Sequence, residues 1–402
     1  MTSTTAAPAR DLGAQKLAQA QSLLAESGLD AWLTVVRESA ERPDPTLRYF
    51  LDLDFTWTTF FLVTPTSSAA LVATFDAPDL RERGLYDKVV TYKEGPRAAL
   101  LALLDETRPA RIGINFSEHD ALADGLTAGL RDSLESLLRD SPHQGRLVSA
   151  APLLFRLRNV KLPEERRRIE RAVLETESMF DRVRDRIRLG MTARQIAEMF
   201  HEEAARAGVP TAWPSHHCPT VTVGAKSPIG HVGPGDEPVT DGCIVHVDFG
   251  ISRDGYCSDL QRLWYVKRDG EAPEAVRRAY ATVAGAIDAT ARALIPGSIG
   301  WEIDQLARDR IREGGYPEYA HALGHHLGRA VHDGGGVLGP RWERYGEEPY
   351  EPVRLGAVYT LEPSVHLLDH GIVSLEEDVV VEEKGGVFLS RFPRELPLLR
   401  PA

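Results

Sequence analysis

Two aspartates eleven residues apart, Asp248 and Asp259, stand in a segment whose pattern can bring both side chains to one place. Residues 244–250 alternate, with Val245, Val247 and Phe249 on one face and Ile244, His246 and Asp248 on the other. A turn follows at Ser252-Arg253-Asp254-Gly255, and a second strand candidate runs from Tyr256 through Cys257, Ser258 and Asp259 toward Trp264 and Val266. A four-residue loop would set the two aspartates directly opposite each other. A two-residue Asp254-Gly255 loop would make the pair diagonal, still on one face. Carboxylates at that separation, about 4.5–5.5 Å between Cβ atoms, repel unless one protonates or a cation neutralises them. Taken alone, such a pair reads more readily as exposed acids on a solvated strand. His246 and Cys257 fall on or near the same face and read as packed neighbours rather than ligands.

A second group of chemistry-bearing residues lies at 321–332, where four of the thirteen histidines, His321, His325, His326 and His332, fall within twelve positions. His321 and His325 have the i, i+4 spacing of a helical zinc site. No glutamate stands at 322, however, and Gly324 and Gly328 weaken a helix, so the zincin pattern fails. Two further acids, Glu362 and Glu376, each end or punctuate a β-rich apolar run. A carboxylate in such company needs a partner, because burying it unpaired costs about several kcal/mol or forces it to protonate. Two aspartates, a histidine and two glutamates form an oxygen-rich donor set suited to Mn, Co, Fe or Zn ions. Five candidates, four of them acids, are more than a single zinc site needs and point to two ions about 3.5–4 Å apart.

These residues need a scaffold, and 402 residues exceed what one hydrophobic core usually supports, so two domains are expected. Hydrophobic residues make up 43% and charged residues 26%, the composition of an ordinary globular protein. The first region reads as α/β: a helix at 14–28, strands at 31–36, 56–63, 69–75 and 111–116, and helices at 96–106 and 119–138. Pro163 followed by two acids opens a new helical unit and places the boundary near 160, giving domains 1–160 and 161–402. Helices at 164–188 and 192–207 precede a glycine-punctuated, strand-rich stretch from about 220, with a further helical segment at 272–313. A net charge of -12 repels phosphate backbones and anionic bilayers, which argues against nucleic acid or membrane partners. Cys218, Cys243 and Cys257 show neither C-x-x-C spacing nor an even number, which fits a reducing cytoplasm. The sequence shows no apolar export segment at its start and no run of 18 apolar residues.

The chain resembles the pita-bread metallopeptidases, the family of methionine aminopeptidase, aminopeptidase P and prolidase. Asp248-x-Gly250 with Gly255-Tyr256-x-Ser258-Asp259 is similar to the family's two-aspartate segment. His321-x-x-Gly324-His325-x-x-Gly328-x-x-Val331-His332 is similar to its histidine segment, and Thr360-Leu361-Glu362-Pro363 and Leu375-Glu376 to its two glutamate segments. The resemblance implies metal ligands at Asp248, Asp259, His325, Glu362 and Glu376, holding two divalent ions, Mn first among them, with Co, Zn or Fe as alternatives. It implies catalytic roles for His231, His332 and Glu362, the last shuttling a proton from a hydroxide-forming water between the ions. His231, in Ile229-Gly230-His231-Val232, resembles the upstream histidine of aminopeptidase P and prolidase. Leu157-Arg158-x-Val160-Lys161-x-Pro163-x-Glu165 is similar to the entry helix of those two groups. The fold implied is α/β (α+β), a creatinase/prolidase-like N-terminal α/β domain followed by a pita-bread catalytic domain, as a cytoplasmic homodimer.

The implied reaction is hydrolysis of the Xaa-Pro bond in a small proline-containing peptide, a dipeptide in the prolidase reading or a longer peptide in the aminopeptidase P reading. A dipeptidase needs a cationic side chain for the substrate carboxylate, and Arg329, Arg391 and Arg394 are candidates, with His321 a further substrate-binding candidate. Some positions depart from the family pattern. Ser374 replaces an arginine, Glu377 an aspartate, and Gln261 and Leu263 two threonines; Arg329 is a candidate to restore the lost charge. A metal-free creatinase-like hydrolase and a binding protein that has lost catalysis are the rivals, and a complete ligand set argues against both.

Overall fold

The apolar run at 31–36 becomes the strand Ala31–Val36, every residue of which is buried, as a strand covered on both faces requires. The computed structural model describes residues 7–226 and 233–401, and the chain divides into two units, Met1–Arg158 and Asn159–Ala402. The first unit carries a six-stranded sheet in the order Lys88–Tyr92, Ser68–Ala73, Thr59–Val63, Ala31–Val36, Ile112–Ile114, Leu147–Ser149. Parallel and antiparallel pairs mix within it. Alternation along one strand feeds two cores: Trp32 and Val36 pack with Leu17, Ala20 and Leu24 of the first helix, whereas Leu33 and Val35 pack with Leu100, Leu104, Leu130 and Leu134. The helix expected at 119–138 forms only in part. Asp120 caps a short 3-10 turn at Ala121–Ala123, and the α-helix starts at Ala128, capped by Thr127. Between them, a side chain at Gly125 would collide with Asp44, so the chain turns there instead of coiling.

The second unit opens with the helix Pro163–Arg184, whose proline occupies the first turn while Glu165 accepts a hydrogen bond from the Leu162 backbone N–H at 2.8 Å. The helix Ala193–Ala207 begins at a capping box in which Thr192 and Gln195 each bond the other's backbone N–H. The helical segment at 272–313 is two helices, Glu274–Ala293 and Gly300–Glu313, because Pro296-Gly297 interrupts it and Gly297 has φ +93°. Facing them are a four-stranded sheet ordered Leu398–Leu399, Leu260–Val266, Ile244–Phe249, Thr220–Val223 and a three-stranded sheet ordered Val358–Leu361, Glu377–Glu382, Gly385–Phe388. An antiparallel bridge between Gln261 and Glu376 links these sheets. Val276, Val283, Ile287, Leu361, Val379 and Val381 lie together in the core between helices and strands.

The buried ion pair Lys161–Asp333 ties the start of this unit to the histidine segment: Nζ stands 2.6 Å from Oδ2, and both side chains are 1% exposed. Asp333 also donates its backbone N–H to the His326 carbonyl and accepts the Ala330 backbone N–H through Oδ1, so the pair fixes the loop that carries His332. Lys161→Met leaves the carboxylate without this ammonium in a site closed to water. Equilibrium urea unfolding is expected to show a loss of about 3–5 kcal/mol. Adding Asp333→Asn to the same chain is expected to recover much of it, and a loss in the double variant equal to that of the single one counts against the pair.

Candidate metal centre

The hairpin is built on the shorter of the two loops. Tyr256 pairs with Arg253 and Cys257 with Ser252, and Asp254 and Gly255 turn the chain with φ of 53° and 76°, both in the left-handed region that such a turn demands. The register continues into Ile244–Phe249 and Leu260–Val266, where Gln261, not Asp259, lies opposite Asp248. The aspartates are therefore diagonal. The directly opposed arrangement fails because Ser252 and Arg253 are strand residues. The carboxyl groups of Asp248 and Asp259 still come close enough to interact.

The histidine segment runs extended. Gly324–His325 pairs with Val337–Leu338, and a Cβ at Gly324 would come within 1.9 Å of the Thr360 carbonyl oxygen, so only glycine allows this approach. His325 donates its backbone N–H to Thr360 Oγ1 at 3.1 Å, and its Nδ1 lies 3.2 Å from the His326 carbonyl oxygen. Nδ1–H therefore donates to backbone, and Nε2 presents a lone pair. Nε2 stands 3.4 Å from Glu362 Oε1, 3.7 Å from Asp259 Oδ2 and 4.0 Å from Glu376 Oε1. Glu362 extends from the strand Val358–Leu361, its backbone N–H bonded to the Leu323 carbonyl at 2.7 Å and its Oε1 to Thr360 Oγ1 at 3.3 Å.

The electrostatics of this cluster are unfavourable as they stand. Burial pushes Asp248 up to about 7 and Glu362 up to about 8; Asp259 is pushed well above the carboxylate range by burial and then by Glu376, and Glu376 by burial and then by Glu362. Burial, then His332, drives His325 down to about 3, so it does not supply a balancing charge. Asp248 Oδ1, Asp259 Oδ1 and Glu376 Oε1 are buried without a hydrogen-bond partner. Buried acceptors crowded together, with a neutral imidazole among them, call for a cation.

Comparison with known proteins agrees with the geometry. Residues 167–383 match the model of metallopeptidase family M24, more than half of the chain. The chain belongs to metallopeptidase family M24. A peptidase of uncharacterised activity from Bacillus subtilis, YqhT, is 29% identical over 275 residues, covering 68% of this chain and 73% of that one. A Xaa-Pro dipeptidase from Pyrococcus furiosus is 30% identical over 177 residues, covering 44% of this chain and 48% of that one. Among solved structures, a dipeptidase from Pyrococcus horikoshii superposes with TM-score 0.69 at 25% identity over 96% of this chain and all of the other. A Xaa-Pro dipeptidase from Bacillus anthracis shares the fold, with TM-score 0.74 at 21% identity over 96% of this chain and all of that one. The M24 peptidase is thus a metal-dependent hydrolase with the mixed α/β pita-bread architecture.

The residues present fit divalent ions. Asp259, His325 and Glu376 each offer one ligand atom, all within 4.8 Å of one another, and the orphaned oxygens point to what these acids lack. Asp248 and Glu362 border the same cluster, and each interacts electrostatically with its other acids. His332 lies beside it, its exposed ring edge-on to His325 with centroids 4.3 Å apart and an interplanar angle of 89°. His321 is held between the Ala322 carbonyl and Ser364 Oγ, at 2.8 and 3.0 Å. Arg329 sits over the Tyr256 ring at 5.5 Å, beside the hairpin turn. Arg391 pairs with Glu177 and Asp181, and Arg394 with Asp288, so these two arginines of the M24 peptidase are committed to other acids. His231 lies outside the described residues.

Sequence reasoning passed over Asp378, a fully buried acid whose Oδ2 accepts the Asp259 backbone N–H at 3.0 Å. Its i, i+2 spacing from Glu376 on adjoining strand positions was the available signal. Departures from the family pattern find partners of their own. Glu377 accepts from the guanidinium of Arg262 at 2.9 Å and from Ser390, and Arg262 also holds the Glu376 carbonyl at 3.0 Å. Ser374 is buried opposite Ser364 in a strand pair.

Proposed function

We propose that this M24 peptidase hydrolyses the Xaa-Pro bond of dipeptides, using two divalent ions, manganese first among them, held by Asp248, Asp259, His325, Glu362 and Glu376. The observation that carries the reading is the convergence of these five side chains, drawn from four separate chain segments, on one buried cluster without a balancing charge. Ions bound there would lower the pKa of water toward neutrality and polarise the scissile carbonyl. Glu362, with 20% of its side chain accessible, is the acid placed to take a proton from water and return it to the leaving nitrogen. His332 offers a ring N–H at the exposed side of the cluster, where it steadies the oxyanion that develops on the substrate. The proposal gives His231 a parallel role in orienting the substrate.

Relatives named Xaa-Pro dipeptidase support the choice of substrate. Three buried, unpaired cysteines support a reducing compartment, the cytoplasm, and no helix among the described residues is long and apolar enough to cross a membrane. The test compares a Xaa-Pro dipeptide, a Xaa-Pro-Yaa tripeptide and a dipeptide without proline on the manganese-loaded enzyme. Cleavage of the first alone establishes the proposed activity. Cleavage of the tripeptide moves the assignment to an aminopeptidase P, and equal turnover of the proline-free dipeptide removes the proline requirement.

A further inference from the structure

The two oxygens of Glu376 have different surroundings. Oε2 accepts a hydrogen bond from Gln261 Nε2 at 2.9 Å, whereas Oε1 is buried, has no hydrogen-bond partner and stands 4.0 Å from His325 Nε2. The direction of the Gln261 amide follows from chemistry. Gln261 Nε2 is the donor to Glu376, so the amide oxygen faces His246, whose Nε2 is 3.0 Å away. An amide oxygen only accepts, so the buried His246 carries a proton on Nε2 and donates it to Gln261. A chain of donors thus runs one way, from His246 through Gln261 to Glu376.

The backbone holds this chain in place. Gln261 lies opposite Asp248 in the sheet and bridges Glu376 on its other side, exchanging hydrogen bonds of 3.4 and 3.3 Å with it. Gln261 is 7% exposed and engages both of its side-chain polar atoms. A hydroxyl at this position would present one polar atom where the amide presents a donor and an acceptor on a longer arm.

We infer that Gln261 is a positioning residue: by holding Glu376 Oε2 it fixes the orientation in which the unpartnered Oε1 is turned toward His325 and would be presented to a bound cation. The inference rests on the reading of Glu376 as a ligand. A merely structural Gln261 would matter to strand pairing, which the backbone bridge maintains in any variant, and would leave cation affinity untouched.

Calorimetric titration of the metal-free protein with manganese separates the two roles. Wild type is compared with Gln261→Leu, Gln261→Thr and Glu376→Gln, with melting of each metal-free chain as the control for folding. Gln261→Leu is expected to weaken one of the two binding events about 10–100-fold. Gln261→Thr, which can still donate to Glu376, is expected to fall between Gln261→Leu and wild type. If Gln261→Leu does not fold, His246→Phe carries the test, because it removes the group that orients the amide and is expected to weaken the same binding event. Unchanged affinity in Gln261→Leu, or in His246→Phe where that variant stands in, overturns the inference while Glu376→Gln still loses binding. Absence of binding in wild type, or wild-type binding by Glu376→Gln, removes the ligand reading itself.

Discussion

Asp259→Asn is expected to abolish most of the hydrolysis while leaving a well-folded chain. Asp259 sits in the cluster, close to the charges of Glu376 and Asp248, lying 3.7 Å from His325 and anchored through its backbone by Asp378. An amide of the same shape keeps the packing but replaces a charged oxygen donor by a weaker neutral one. Loss of a residue that merely orients a ligand lowers metal affinity or activity about 10–100-fold, so loss of a ligand is expected to exceed about 100-fold. The metal-free protein should respond in the opposite sense. Burial and the neighbouring acids disfavour charge at Asp259, so removing the ionisable group relieves repulsion and the melting temperature of the metal-free chain is expected to hold or rise. Reduced manganese affinity together with an intact or higher melting temperature is the signature to look for in calorimetry and thermal unfolding. Wild-type affinity in Asp259→Asn removes this residue from the ligand set.

His332→Ala is expected to lower kcat about 10²–10³-fold with no change in the number of ions bound. The ring is exposed, packs against His325 and lies on the loop that the Lys161–Asp333 pair fixes. A side chain in that position can donate to a substrate oxygen without being a ligand, so steady-state kinetics and ion counting should separate cleanly. A variant that loses an ion shows His332 to be part of the metal site, and one with unchanged kcat shows it to be a bystander.

The sequence already showed much of this centre, for a definable reason. Asp248 and Asp259 belong to a hairpin, where a period of two residues and a turn signal fix which side chains share a face, and that is local information. What it left open was the register, decided by whether Ser252 and Arg253 pair, and the diagonal result needed the turn dihedrals. Glu362 and Glu376 stood out because acids in apolar runs are anomalous. Asp378 did not, because it followed two other acids in a single run. The Gln261–Glu376 bridge and the Lys161–Asp333 pair join residues 115 and 172 positions apart, and no period or local motif reports such a meeting. In the first unit the reading of 119–138 as one helix failed for a related reason. Its composition is helical, but a cap at Asp120 and the close approach of Asp44 to Gly125 override propensity.

The central claim is that hydrolysis depends on ions held by these five side chains, and the direct measurement is to count them. Purified enzyme would be stripped with a chelator and reloaded stepwise with manganese, following ion content by mass spectrometry and Xaa-Pro dipeptide cleavage in the same samples. The account predicts two ions per chain at saturation, with activity lost on stripping and returning as the ions return. Full cleavage by a chain shown to be free of metal, or saturation without any gain in activity, would contradict it.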